Sequence, residues 1–242
     1  MKSGDIQLEN CDCLSFMKGM KNESVDLIIA DPPYEWHNMY EYFEEMLRIL
    51  KYSGSMYIFG DKDIVAQFWY SQLNAKYKTL LIWYYKNSPK PRGRWRQSMQ
   101  SIIYSYRSLE YSIFNEDEAR VEYMSATKAL NGRMRPSSGR MLVSKPYDTS
   151  KGALPRDVIE YPASTGHLSK ELVGHPFQKP IGLIEKLIKT SSKVGDLVFD
   201  PFTGSGTTLV AARKLNRKCI GCEIDKQWIP VVWQRIADSI EI

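Results

Sequence analysis

No stretch of the 242-residue chain approaches the roughly 18 consecutive apolar residues that a membrane span needs. Its first ten residues, MKSGDIQLEN, hold no apolar segment of the signal-peptide kind. A cytoplasmic protein with no membrane partner is the expectation. Cysteine is scarce, with four residues arranged as Cys11-x-Cys13 and Cys219-x-x-Cys222, which excludes a disulfide scaffold at this length. The second pair lies in an apolar run that reads as a strand, where residues three apart point to opposite faces. The two thiols are therefore expected to be buried separately, and no metal is expected. Internal repeats and low-complexity tracts are also lacking. What is present, 43% apolar and 25% charged residues, suits one domain with a full hydrophobic core.

The formal charge of +5 says little until it is resolved along the chain. Lys86 to Arg156 holds 14 basic and six acidic residues, a local +8 within a remainder of −3. Such a basic insert fits a phosphate-contacting segment, and equally a solvated loop. On either side of it the pattern alternates between strand and helix. Strands are expected at 25–30, 55–59 and 79–85, and helices at 40–50 and 61–73, the second with Asp61 as its cap. Beyond the insert a helix is expected at 181–191, a strand at 197–199, a helix at 207–215, a strand at 218–222 and a helix at 226–240. Within the insert, 101–106 reads as a strand and 116–130 as a helix. The rhythm implies a doubly wound, mostly parallel α/β sheet with helices on both faces. Three stretches follow: 1–86, the basic insert 87–156, and 157–242.

Two strand ends carry chemistry. Leu27-Ile28-Ile29-Ala30 runs into Asp31-Pro32-Pro33-Tyr34, where the prolines stop the ladder and rigidify the turn that presents the carboxylate. A rigid turn accounts for the prolines, but not for an acid and an aromatic flanking them at the ligand-binding edge of a parallel sheet. Further on, Asp200-Pro201-Phe202-Thr203-Gly204-Ser205-Gly206-Thr207 stands between an apolar strand and a helix, where glycines let the backbone approach a ligand closely. It lacks the lysine of a P-loop and the six-residue spacing of the dinucleotide fingerprint. The next strand ends at Glu223, placed to accept a nucleoside's ribose hydroxyls or else to cap the last helix. Asp225 is the stronger candidate for that cap.

These motifs, with His175-Pro176-Phe177-Gln178-Lys179-Pro180 between them, resemble the S-adenosylmethionine-dependent DNA amino-methyltransferases of the β arrangement, in which the catalytic motif precedes the cofactor motif. The resemblance covers nearly the whole chain, including Asn10 to Cys13, Trp83 to Lys86 and Asp157 to Ile159. It implies a Rossmann-like methyltransferase domain with a catalytic half at 1–86, a target-recognition insert at 87–156 and a cofactor half at 157–242. It also implies that Asp31 and the Pro32 carbonyl accept hydrogen bonds from the exocyclic amine of a target base, with Pro33 completing the turn and Tyr34 stacking on the flipped base. In the same reading Gly204, Ser205 and Gly206 approach the methionine portion of S-adenosylmethionine. Asp12 then binds the adenine amino group, Glu223 the ribose and Lys179 the methionine carboxylate, with Asp31, Asp200, Phe202 and Thr207 completing the cofactor site. Lys90, Arg92, Arg94, Trp95, Arg96, Arg133, Arg135 and Arg140 become the candidate contacts to duplex DNA.

Aspartate as the first residue of the catalytic tetrad resembles enzymes that methylate adenine N6, so a site-specific N6-adenine DNA methyltransferase is expected. A cytosine N4 enzyme, an RNA amino-methyltransferase and a non-catalytic DNA-binding module are the alternatives. Retention of Asp31, Tyr34, Gly204, Gly206 and Lys179 argues against the last. No Pro-Cys pair occurs, so attack on cytosine C5 by a cysteine is not expected. Glu35 and Trp36 after the tyrosine, and Gln100 where an acid is common, depart from the family pattern. The insert is short for a recognition region, which brings a second subunit of a homodimer into consideration, and a cognate restriction nuclease is a further partner of such enzymes.

Overall fold

The structure, a computed structural model, describes residues 2–3, 5–33, 39–70, 77–87, 92–93, 95–122, 151–164 and 171–239. In chain order the elements are β1 (Lys2–Ser3), β2 (Ile6–Asn10), α1 (Cys13–Lys18), β3 (Val25–Ala30), α2 (Tyr40–Ile49), β4 (Leu50–Gly60), α3 (Lys62–Tyr70), β5 (Tyr77–Tyr84), β6 (Met99–Tyr106) and α4 (Glu116–Ala119). After these come β7 (Val158–Glu160), α5 (Ile181–Ser191), β8 (Leu197–Asp200), α6 (Thr207–Lys214), β9 (Lys218–Glu223) and α7 (Trp228–Asp238). One nine-stranded sheet runs in the order β1-β2-β9-β8-β3-β4-β6-β5-β7. Its centre, β2 through β4, is parallel, and β6 lies antiparallel between β4 and β5.

Strand β3 shows why the centre reads as an unbroken apolar run. Leu27 and Ile29 face one core cluster, and Val25, Ile28 and Ala30 face the other, so both sides of the strand are covered. The first cluster takes Leu183, Leu187, Leu209 and Val232 from α5, α6 and α7. The second takes Met17, Phe43, Met46, Ile64 and Phe68 from α1, α2 and α3. Each such side chain removed from water contributes about 1.5–3 kcal/mol. Cys219 belongs to the first cluster and Cys222 to the second, the opposite placement that their spacing predicts. Asp61 caps α3 as expected, its Oδ1 accepting the amides of Asp63 at 3.0 Å and Ile64 at 3.1 Å.

Several elements differ from the sequence reading. Of the helix expected over 116–130, the structure shows one turn, Glu116–Ala119, after which Arg120 turns into extended backbone, and 123–130 lie outside the described residues. The reason is tertiary: Val121 exchanges backbone hydrogen bonds of 3.0 and 2.8 Å with Ala153, while the Arg120 guanidinium binds Asp117 and the Gly152 carbonyl. Strands β1, β2 and β7 and helix α1 carry too little apolar periodicity to stand out. β2 exists because it pairs with β9 from Ile6 opposite Cys219 to Asn10 opposite Glu223. A strand of the first stretch thus lies beside the last strand of the third.

Candidate active site

Strands β3 and β8 are parallel neighbours, with Leu27 opposite Val198 and Ile28 opposite Phe199. From β3 the chain crosses to β4 on one side, and from β8 to β9 on the other. Connections that diverge in this way leave a crevice at the carboxyl ends of the two strands. The Asp31 turn and the glycine turn open into it. The resulting cleft is lined by Ile29, Asp31, Phe59, His175, Phe177, Lys179, Ile184, Asp200, Phe202, Thr203, Ser205, Thr207 and Thr208.

The glycine turn is held in a shape that other residues resist. Gly204 and Gly206 have φ of 51° and 82°, in the left-handed region that costs side-chain-bearing residues steric strain. A Cβ on Gly204 would lie 3.1 Å from the His175 ring, and one on Gly206 would lie 2.6 Å from Val232. Glu223 fastens the turn from β9: Oε2 accepts the Gly204 amide at 2.7 Å, and Oε1 accepts the Asp225 amide at 2.8 Å. Each oxygen has further acceptor capacity, which suits a ribose diol. Burial pushes the Glu223 carboxyl above its ordinary value, partly opposed by those amide hydrogen bonds. Asp225 accepts the Gln227 amide at 3.1 Å in the turn ahead of α7, but the N-cap of α7 is Gln227, which has no side-chain cap hydrogen bond, so the expected Asp225 cap is displaced by two residues.

Lys179 comes from the segment just before α5 and reaches the cleft with only 8% of its surface exposed. Its ammonium is ion-paired with Asp31, 148 residues away in sequence, and also donates to the Phe177 carbonyl at 3.3 Å. The same nitrogen lies 5.3 Å from the centroid of the Phe59 ring, within cation–π range. The proposed catalytic carboxylate and the proposed cofactor-binding cation are thus direct partners. Asp200 lies at the base of the cleft, 4% exposed, accepting the Phe202 amide at 3.0 Å. Burial pushes its carboxyl up to about 7, against a hydrogen bond from Thr208, and the charges of Asp31 and Glu223 add to the rise. Burial also lowers the His175 imidazole, favouring its neutral form.

Asp31, Lys179, Asp200, Phe202, Ser205 and Thr207 therefore meet in one cleft, with Gly204, Gly206 and Glu223 forming its glycine wall. Pro32 is buried and Pro33 exposed beside them. Asp12 lies at the end of β2, where its Oδ1 caps α1 by accepting the amide and hydroxyl of Ser15, both at 2.8 Å. The neighbouring Cys11 amide donates to the Glu223 carbonyl at 3.2 Å. Trp95 is 98% exposed, Arg92 and Arg96 are exposed, and Arg96 donates to the Lys86 carbonyl at 2.9 Å. Tyr34, Glu35, Trp36, Lys90, Arg94, Arg133, Arg135 and Arg140 lie outside the described residues.

Sequence reasoning missed several residues of the site. His175 covers Gly204 and meets Trp228 with ring centroids 4.6 Å apart. Phe59 closes the cleft from the end of β4. Asn10 clamps the end of β9, its Nδ2 donating to the carbonyls of Glu223 and Ile224 at 2.8 and 3.1 Å. For Phe59 and Asn10 the available signal was position at a strand end, which acquires meaning only once the strand order is known, and His175 stood in the His-Pro element with no role assigned to it.

The chain is similar to known DNA methyltransferases in sequence and in fold. The DNA adenine methyltransferase YhdJ of Escherichia coli K12 is 31% identical over 249 residues, covering 93% of this chain and 80% of its own. The crystal structure of an M1.HpyAVI–SAM complex superposes with a TM-score of 0.65 at 24% identity, covering 95% of this chain and 99% of that one. The cytosine-N4-specific PvuII DNA methyltransferase reaches a TM-score of 0.68 at 16% identity, covering 99% of this chain and 92% of that one. At these identities the two structures speak for the shared fold alone. Residues 25–233 match the DNA methylase family model N6_N4_Mtase, and the chain belongs to that family of DNA amino-methyltransferases.

Proposed function

We propose that this protein transfers a methyl group from S-adenosylmethionine to the N6 amine of an adenine extruded from duplex DNA. The observation that carries the reading is the meeting of the Asp31 turn, the glycine turn and the buried Lys179 in one cleft at the β3/β8 switch point. The donor set fits a ligand that bears a carboxylate, a sulfonium and a ribose: one cation, three carboxyl groups and a backbone bared by glycine. S-Adenosylmethionine, when bound, supplies an electrophilic methyl group. Lys179 holds its methionine carboxylate, Glu223 its ribose, Asp12 its adenine amino group, and Gly204 to Gly206 leave room for the chain between.

Pairing of Lys179 with a ligand carboxylate loosens its hold on Asp31. Asp31 and the Pro32 carbonyl then accept the two hydrogens of the target amine. That nitrogen's lone pair is delocalised into the ring in the ground state. Fixing its hydrogens moves it toward tetrahedral geometry and aims the lone pair at the methyl carbon, so positioning and electrostatics do the catalysis and no covalent enzyme intermediate forms. Tyr34 stacks on the flipped base. Aspartate at position 31 supports adenine over cytosine, as does YhdJ, an adenine enzyme among the relatives. The test is transfer of labelled methyl to duplex DNA, single-stranded DNA and RNA in parallel, followed by nucleoside analysis. N6-methyladenine from duplex is the expected product. N4-methylcytosine would overturn the base assignment, and label in RNA alone would overturn the substrate.

A further inference from the structure

Trp228, Val232 and Arg235 are spaced four and three residues apart on α7, which places them on one helix face. All three serve the glycine turn. Trp228 backs the His175 ring that covers Gly204, and Val232 occupies the space beside Gly206. Arg235 reaches the backbone itself: Nη1 donates to the Ser205 carbonyl at 2.6 Å and to the Thr207 hydroxyl at 3.2 Å. Thr207 Oγ1 lies 3.1 Å from the Ser205 hydroxyl and donates to the Lys179 carbonyl at 3.3 Å. A continuous chain of contacts therefore runs from α7 through the glycine turn to the lysine whose ammonium faces Asp31.

We propose that Arg235 is a positioning residue of the cofactor site, its guanidinium holding the Ser205 carbonyl and Thr207 hydroxyl in the register that cofactor binding requires and tying that register to Lys179. The assignment rests on reading the turn as the S-adenosylmethionine loop. Hydrogen bonds from a charged donor are about twice as strong as neutral ones, and a planar fork holds its acceptors in fixed directions. A helix face packed on two glycines supplies the mould, and Arg235 fastens the turn into it. The residue touches neither the methyl group nor the target base. Its loss should thus act on cofactor affinity and leave the chemical step intact.

The experiment compares the full-length protein with Arg235→Gln and Arg235→Lys. In Arg235→Gln the calorimetric Kd for S-adenosylmethionine and the KM for it should both rise about tenfold, with kcat at saturating cofactor and the KM for DNA unchanged. Arg235→Lys, which keeps one charged donor, should recover part of the affinity. A Kd for Arg235→Gln within about twofold of wild type overturns the proposal. So does a fall in kcat and melting temperature with both KM values unchanged, which would assign Arg235 to stability alone. If Arg235→Gln does not fold, Arg235→Lys decides on the same criteria, with a several-fold weakening expected. Hydrogen exchange of the peptide spanning 203–208, measured without cofactor, separates this idea from the reading beneath it. Faster exchange there in the variants supports the positioning role even if wild type failed to bind S-adenosylmethionine, and unchanged exchange refutes it.

Discussion

Asp200→Asn should make the protein more stable by a margin that is already about 2 kcal/mol at pH 5 and grows further by pH 8. Asp200 is buried at the base of the cleft, and its carboxyl is raised from an ordinary 3.8 to about 7, chiefly by burial and further by the charges of Asp31 and Glu223. Between about pH 4 and pH 7 the folded chain keeps a proton that the unfolded chain has lost, so stability falls as pH rises through this window. Each pH unit costs about 1.4 kcal/mol, and the interval from 3.8 to 7 amounts to about 4 kcal/mol. Asparagine is uncharged and nearly the same shape. Its oxygen can still accept the Phe202 amide that Asp200 binds at 3.0 Å, and its amide nitrogen can meet Thr208. The stability gained by the variant should therefore grow with pH to about 4 kcal/mol by pH 8, the same figure as the linkage cost. Urea unfolding of both proteins at pH 5, 6, 7 and 8, without cofactor, measures it as a difference in which groups common to both largely cancel. A gap that stays constant from pH 5 to pH 8, or one that shrinks, would refute the reasoning. The same substitution takes an anion from the wall of a site expected to hold a sulfonium, so cofactor affinity should fall where stability rises.

Three other outcomes follow from the site. Asp31→Asn should abolish methyl transfer with the fold retained, since its amide oxygen still accepts from the Lys179 ammonium, whereas Asp31→Ala removes charge and acceptor alike and should also lose about 3 kcal/mol of stability; single-turnover transfer at wild-type rate in either variant would contradict the role of Asp31. Lys179→Met should weaken S-adenosylmethionine binding by about tenfold or more, since a charge-assisted contact to the cofactor carboxylate is removed, and an unchanged Kd in calorimetry would count against it. Replacing Arg92 and Arg96 together with glutamine should lower DNA affinity and reduce the slope of log K against log salt by about 2, measured by fluorescence anisotropy; an unaltered slope would mean that these residues face away from the duplex.

The central strands, and the helices that cover them, could be read from the sequence because their cause is local. Leu27 to Ala30 is apolar throughout since both faces are covered, and Ile181 to Ser191 repeats its buried residues at helical spacing. The two chemical turns were visible for the same reason, since proline and glycine at a strand end act on their own backbone wherever the strand lies. Where the cause was distant, the sequence reading failed. β2 has only Ile6 and Leu8 as buried apolar residues and is a strand because β9 lies beside it. α4 stops at Ala119 because Val121 is drawn to Ala153.

The sequence alone determined that this protein has an α/β methyltransferase core carrying an acidic-proline turn and a glycine turn, with its basic residues concentrated between them. Only the tertiary structure decided that Lys179 pairs with Asp31, that Glu223 fastens Gly204, and that one face of α7 supports the glycine turn. Local patterning sets which residues end a strand. Which strand ends become neighbours depends on the order β9-β8-β3-β4, and that order follows from crossovers and packing between segments far apart in the chain.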